Sequence, residues 1–183
     1  MIGALAERWP VIVVALASVT VCAVAGGLMT EIGPWYEGMN FPRLRPPNWL
    51  FGPAWTVIFL LIAASGVVAW GAADAERRTL IAVLFAINGV LNILWSPLFF
   101  KLRRPDWALY ELGPFWLSIV ALVFVLFGIR PLAGWLTLPY LVWVTFAGWL
   151  NWRVVVLNRP FATRSFGVAS AAGKSSSNGR VSR

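Results

Sequence analysis

"GMNFPRLRPPNWLFGPAWTVIF", Gly38 to Phe59, decides how this chain is read. Its first half sets Pro42, Pro46 and Pro47 around Arg43 and Arg45, and from Pro53 an apolar run continues to Trp70. Proline stiffens a loop and suits a helix only near its start. A bilayer core takes about 20 apolar residues in helix. The stretch therefore reads as a rigid, aromatic loop feeding a membrane-spanning helix.

Working outward, four more segments have the same character, so that the expected spans are residues 10–29, 53–70, 80–100, 107–128 and 132–157, with a Pro/Trp-rich loop at 30–52. The chain is 60% hydrophobic and 12% charged, about half the charge of an ordinary soluble domain, so its surplus apolar surface must meet lipid. Lipid offers no partner to backbone N–H and C=O groups, and the spans lack the period-two alternation of a membrane barrel. The fold class is all-α: an integral membrane bundle of five transmembrane helices. The first span also resembles a signal peptide, with Ala23-Val24-Ala25 as a small-residue site. Glu7-Arg8 is a weak basic flank and the run exceeds the ~7–15 residues of a signal core, so a retained helix is expected.

Five spans put the termini on opposite sides. Arg8, Arg77, Arg78 and Arg130 fall on one side; Arg43, Arg45, Lys101, Arg103, Arg104 and the basic tail fall on the other. The positive-inside rule places the second group, and with it the C-terminus, in the cytoplasm, most simply of a bacterial cell membrane. The Ser/Gly/Ala-rich tail, 159–183, is expected to be disordered. The net charge of +8 reads as topology and membrane-lipid contact, not as a nucleic-acid footprint. One cysteine, Cys22, and no histidine exclude an intramolecular disulfide, a His/Cys zinc site and a His-based triad.

Several of the twelve tryptophans, Trp9, Trp70, Trp107 and Trp135, stand at expected helix ends, where indoles prefer the interface. Others invite a site. In "AINGVLNILWSPLFF", Asn88, Asn92 and Trp95 are spaced i, i+4, i+7 and share one face. Amides inside a bilayer need partners, so this face looks into the bundle, either as interhelical glue or as a pocket wall. Pro97 is expected to kink or end that helix. In "LPYLVWVTFAGWLNWRVVVLN", Tyr140, Trp143, Ala147 and Asn151 form a matching stripe. Ala147-Gly148 there suits either a planar guest or close helix packing. Glu111 lies about one turn inside the fourth span; it reads either as a functional intramembrane acid or, the expectation so close to the interface, as paired with a partner such as an arginine of the third loop. Trp35, Tyr36, Trp49 and Trp55 give the first loop faces that can stack. The loop thus reads as a lid over an interhelical cavity or as a plain cap.

With these residues on view, the chain resembles the TspO/MBR family of tryptophan-rich sensory proteins and mitochondrial translocator proteins. "WYEGMNFPRLRPPNWLFGPAW", "NGVLNILWSPLFF" and "LPYLVWVTFAGWLNWRVVVLN" occur in that family's order and at nearly its spacing. The resemblance implies a homodimeric five-helix bundle whose cavity opens toward the first loop. It implies porphyrins such as protoporphyrin IX, haem, or other planar lipophilic molecules as ligands, with no required cofactor. By position, Trp55 and Trp143 match tryptophans flanking that cavity, and Asn92 matches an amide in it, with Asn88 on the same stripe. Tyr36 matches a first-loop tyrosine facing it, Trp95 an aromatic of the wall, Ala147 a small residue beside the ligand, and Glu111 a position often acidic. Two departures stand out. The family's Lys-Pro-x-Trp-x-Pro-Pro is here Phe41-Pro42-Arg43-Leu44-Arg45-Pro46-Pro47, and the sterol motif lacks its tyrosine at Leu150-Asn151-Trp152-Arg153.

The function so implied is a membrane receptor or sensor that binds tetrapyrroles and regulates their level. Indoles would stack on the ring, and Arg43 or Arg45 at the mouth would meet the propionates. Without histidine, and with Cys22, Met29, Met39 and the tyrosines poorly placed as axial ligands, metal-free porphyrin is expected to bind at least as well as haem. The alternatives are a light- and oxygen-dependent porphyrin-degrading enzyme, with Trp55 and Trp143 as its catalytic candidates, and a porphyrin or lipophile transporter. A helix-pairing role through Ser18, Cys22 and Gly26, or Ala82 and Ala86, is the structural alternative.

Overall fold

The computed structural model describes residues 9–161, which form five long helices and, among the described residues, no strand. These are α1 (Trp9–Met29), α2 (Asn48–Ala72), α3 (Ala75–Ser96), α4 (Pro105–Ile129) and α5 (Pro131–Asn158). All five are long and apolar enough to cross a membrane. Val14, Leu60, Val90, Phe124 and Val142 are exposed on the outer faces. An apolar perimeter of this extent is stable against acyl chains and not against water. The protein is a multi-pass helical membrane bundle.

Two helices begin earlier than the apolar runs suggest. α2 starts at Asn48, directly after the extended Pro47, and carries Pro53 inside it. Pro53 sits early enough that its missing N–H costs a single bond, that to the Trp49 carbonyl in the first turn. α3 starts at Ala75 because Asp74 caps it, its Oδ1 accepting from the Arg77 N–H at 2.9 Å. The polar turn Ala75–Thr79 is helical although it projects beyond the apolar run. At its other end α3 passes at Pro97 into a wide turn of five residues, Pro97–Lys101, closed by the Leu102 N–H on the Pro97 carbonyl at 2.9 Å.

α2, α4 and α5 form the centre, where Ile58, Ile62, Phe115, Ile119, Tyr140 and Val144 pack as one buried cluster. α4 and α5 are joined through Arg130 alone and lie close along their length. A Cβ added at Gly148 would stand 2.7 Å from Leu112 Cδ2, so glycine is what allows that approach. The Ser65 hydroxyl ties α2 to α5 by donating to the Ala133 carbonyl at 2.7 Å. α1 has no buried residue and leans on the bundle from outside. Ala23-Val24-Ala25 lies within its unbroken helical run.

The first loop, the third loop and the end of α5 share one end of the bundle. Lys101 Nζ lies 3.3 Å from Glu31 Oε2, the Arg103 guanidinium is 5.8 Å from the Trp35 ring centre, and Asn40 meets Asn158. The loop itself contains one helical turn, Pro34–Glu37. Arg8 and the tail residues 162–183, with the disorder expected of them, lie outside the described residues.

Candidate functional site

Loop chemistry and helix spacing converge on a cavity of about 520 Å³ at this end of the bundle, within the ~300–1,000 Å³ usual for small-molecule sites. α2 supplies Phe51, Trp55 and Phe59, three aromatics four residues apart that therefore stand in one row. Trp95 of α3 and Phe99 of the wide turn make another wall, stacked at 4.9 Å with their planes 28° apart. Ala147 keeps the α5 side open, and Gly26 and Gly27 make α1 a thin wall. Tyr36 and Phe41 close the top.

Polar contact with the cavity is sparse and organised. Asn92 lines it, and its Nδ2 donates to the Tyr140 hydroxyl at 3.1 Å. That hydroxyl donates to Asn88 Oδ1 at 3.1 Å, and Asn88 Nδ2 donates to Ser118 Oγ at 2.8 Å. The chain joins α3, α4 and α5 and satisfies two amides and a phenol in the bilayer interior. Asn151 also reaches the cavity. Its amide, turned so that nitrogen faces the Pro105 carbonyl and oxygen the Leu109 N–H, makes both contacts at 3.2 Å.

The residues expected at the site divide accordingly. Tyr36, Trp55, Asn92, Trp95 and Ala147 line the cavity together. Asn88 and Tyr140, 4% and 1% exposed, lie behind the wall. The α3 stripe continues past the cavity's floor into the core, so the same face is pocket at Asn92 and helix–helix contact at Asn88. Trp143 does not line the cavity either; it buttresses Phe51 edge-on at 5.7 Å, with its Nε1 buried and without a hydrogen-bond partner. Trp49 is 69% exposed and turned away, because it lies two residues before Phe51 and so on a different side of α2. Cys22, judged poorly placed from sequence, is on the wall. Ala147 and Gly148 serve the two uses open to them side by side, cavity and helix contact.

Glu111 departs from expectation. Arg104 is bound to Asp106 instead, Nε to Oδ1 at 2.8 Å, because both residues sit at the start of α4. Glu111 turns inward between Ala108 and Phe115 on the buried face, and neither carboxyl oxygen has a hydrogen-bond partner.

At the top, the Arg45 guanidinium lies 3.7 Å from the Phe41 ring centre and 5.0 Å from that of Tyr36, and it donates to Asn48 Oδ1. Arg45 thus braces the roof. Burial pushes the Tyr36 phenol up, and the nearby Arg45 charge draws it partly back. Arg43 is exposed beside the roof. Arg103 has φ 54, a left-handed backbone unusual outside glycine, and this conformation accompanies the placement of its side chain over Trp35.

Sequence reasoning passed over Phe51, Phe59 and Phe99 as wall residues. For the first two a signal exists, the i, i+4, i+8 row through Trp55; Phe99 cannot be told from a lipid-facing phenylalanine without the turn geometry after Pro97. The Asn40–Asn158 contact spans 118 residues and leaves no local trace.

A family model described as the TspO/MBR family matches residues 12–157. Protein CrtK of Rhodobacter capsulatus is 36% identical over 138 residues, 75% of this chain and 86% of that protein. The tryptophan-rich protein TspO of Archaeoglobus fulgidus is 34% identical over 149 residues, 80% of this chain and 96% of that protein. The human translocator protein is 30% identical over 122 residues, 66% of this chain and 72% of that protein.

Proposed function

This chain belongs to the TspO/MBR family, and from that premise we propose that it is a membrane receptor that binds tetrapyrroles and regulates their level. The single observation that carries the reading is the roofed cavity whose lining includes Trp55 of α2 and Trp95 of α3. Two indole-bearing walls suit a flat apolar ring, each well-placed aromatic pair adding ~0.5–1.5 kcal/mol beyond area burial. Asn92 and Asn151 supply polar contact at depth, and Arg43, exposed at the roof, meets carboxylate edges of the ring. Protoporphyrin IX is the ligand of choice and haem binds no better, since the wall holds no histidine. The receptor works as a homodimer in a bacterial cell membrane with its C-terminus in the cytoplasm.

The test is a titration of the purified protein with protoporphyrin IX, followed by tryptophan fluorescence. Saturable quenching, weakened about tenfold (~1.4 kcal/mol) by Trp55→Ala, supports the reading; no saturable quenching removes it.

Light- and oxygen-dependent breakdown of the ring is the second reading. Trp55 favours it by standing on the wall, whereas Trp143 is screened by Phe51. Illumination of the bound complex with Trp55→Phe and Trp143→Phe separates the two residues: loss of breakdown in the first alone is expected.

A further inference from the structure

The loop that roofs the cavity is held to the bundle in an uneven way. Its backbone bonds are local: Glu37 N–H to Gly33, Gly38 N–H to Pro34, Met39 N–H to Tyr36 and Arg45 N–H to Pro42. Arg45 also bonds locally, to Asn48 at the start of α2. Tyr36 holds on by ring contacts with Phe99 and Phe100, which tolerate sliding, and Phe41 packs on Tyr36 within the loop. Lys101 and Glu31 are an exposed pair at the very start of the loop, and such pairs hold weakly.

One residue differs. Asn158, the last residue of α5, accepts the Asn40 N–H on Oδ1 at 2.8 Å and donates from Nδ2 to the Asn40 carbonyl at 2.9 Å. The same Nδ2 donates to the Val154 carbonyl at 2.8 Å, which fixes the amide's orientation. The side chain thus pairs with the Asn40 backbone as a strand would, satisfying both its groups at once. Among the described residues these are the only hydrogen bonds from residues 32–47 to a distant helix. They fall between the two residues of the roof, Tyr36 and Phe41.

We propose that Asn158 is the latch of the roof, a positioning residue that sets how fast the cavity opens to water and exchanges its occupant. Two hydrogen bonds of ordinary net strength correspond to about ten- to hundredfold in the opening equilibrium. That ligand exchange follows the opening rests on the receptor reading above; the opening itself does not.

Cys22 allows the opening to be read without ligand. It is the single cysteine of the chain and lines the cavity, eight residues and ~12 Å deeper along α1 than Thr30. The full chain in lipid nanodiscs is treated with a charged, water-soluble methanethiosulfonate reagent, which cannot arrive through lipid. Asn158→Ala is expected to raise the rate of Cys22 modification at least tenfold at an unchanged melting temperature, with Arg159→Ala matching wild type. Asn158→Asp, which keeps the acceptor but turns a carboxylate oxygen toward the Asn40 and Val154 carbonyls, gives a rise at least as large and stands in if the alanine variant fails to fold. Protoporphyrin dissociation accelerates in the same order. An unchanged Cys22 rate in folded Asn158→Ala, or equal acceleration by Arg159→Ala, overturns the latch. Faster labelling with no protoporphyrin binding even in wild type sinks the receptor reading and leaves the latch standing.

Discussion

Trp55 meets Tyr140 edge-on with ring centres 6.1 Å apart, and the contact marks where cavity ends and core begins. Trp55 faces the open space; Tyr140 is buried behind it and carries the hydrogen bonds that hold Asn88 and Asn92. A flat guest resting on Trp55 therefore rests on the core itself. This geometry makes stability and binding separable by mutation.

Tyr140→Phe keeps the ring and removes the hydroxyl, leaving Asn88 Oδ1 and Asn92 Nδ2 without their partner. A loss of ~1–3 kcal/mol is expected, read as a lower melting temperature in detergent. An unchanged melting temperature would mean the two amides find other partners.

Ala147 and Gly148 are neighbours with opposite roles, so enlarging each should fail differently. Ala147→Phe fills the cavity, abolishing protoporphyrin quenching while the protein still melts cooperatively near the wild-type temperature. Gly148→Phe drives a ring into Leu112 across the α4–α5 contact and destabilises the fold by ~1–3 kcal/mol or more. Parallel melting and binding curves of the two variants check the contrast; equal behaviour contradicts it.

Three tryptophans should rank by their distance from the wall. Trp55→Ala weakens protoporphyrin about tenfold, Trp143→Phe weakens it less than threefold because Phe51 intervenes, and Trp49→Ala leaves it unchanged. A strong effect at Trp49 would place the ligand outside the cavity.

Glu111→Gln removes an acid whose two oxygens have no hydrogen-bond partner. An amide of the same shape avoids the desolvation that a buried carboxylate carries. The variant is expected to fold and to melt at or above the wild-type temperature. A clear drop would reveal that Glu111 works as a charge.

How much of this was legible in the chain itself follows from the range of each interaction. Five spans, their helical nature and the amphipathic rows Asn88–Asn92–Trp95 and Tyr140–Trp143–Ala147 rest on hydropathy and on a 3.6-residue repeat, both local. The starts of α2 and α3 were misplaced because apolar length alone hides a proline tolerated early in a helix and an aspartate cap.

By itself, then, the order of residues determined a five-helix membrane bundle with an aromatic, proline-stiffened loop, because lipid forces every backbone group into helix and local spacing assigns side chains to faces. Only the tertiary structure decided which member of each face meets the cavity: Asn92 and not Asn88, Ala147 and not Trp143. Depth along a helix face depends on how neighbouring helices tilt and approach, here through Gly148 against Leu112, and that is set by packing between distant segments. The pairing of Asn40 with Asn158 belongs to the same class, a contact that exists only once all five helices have come together.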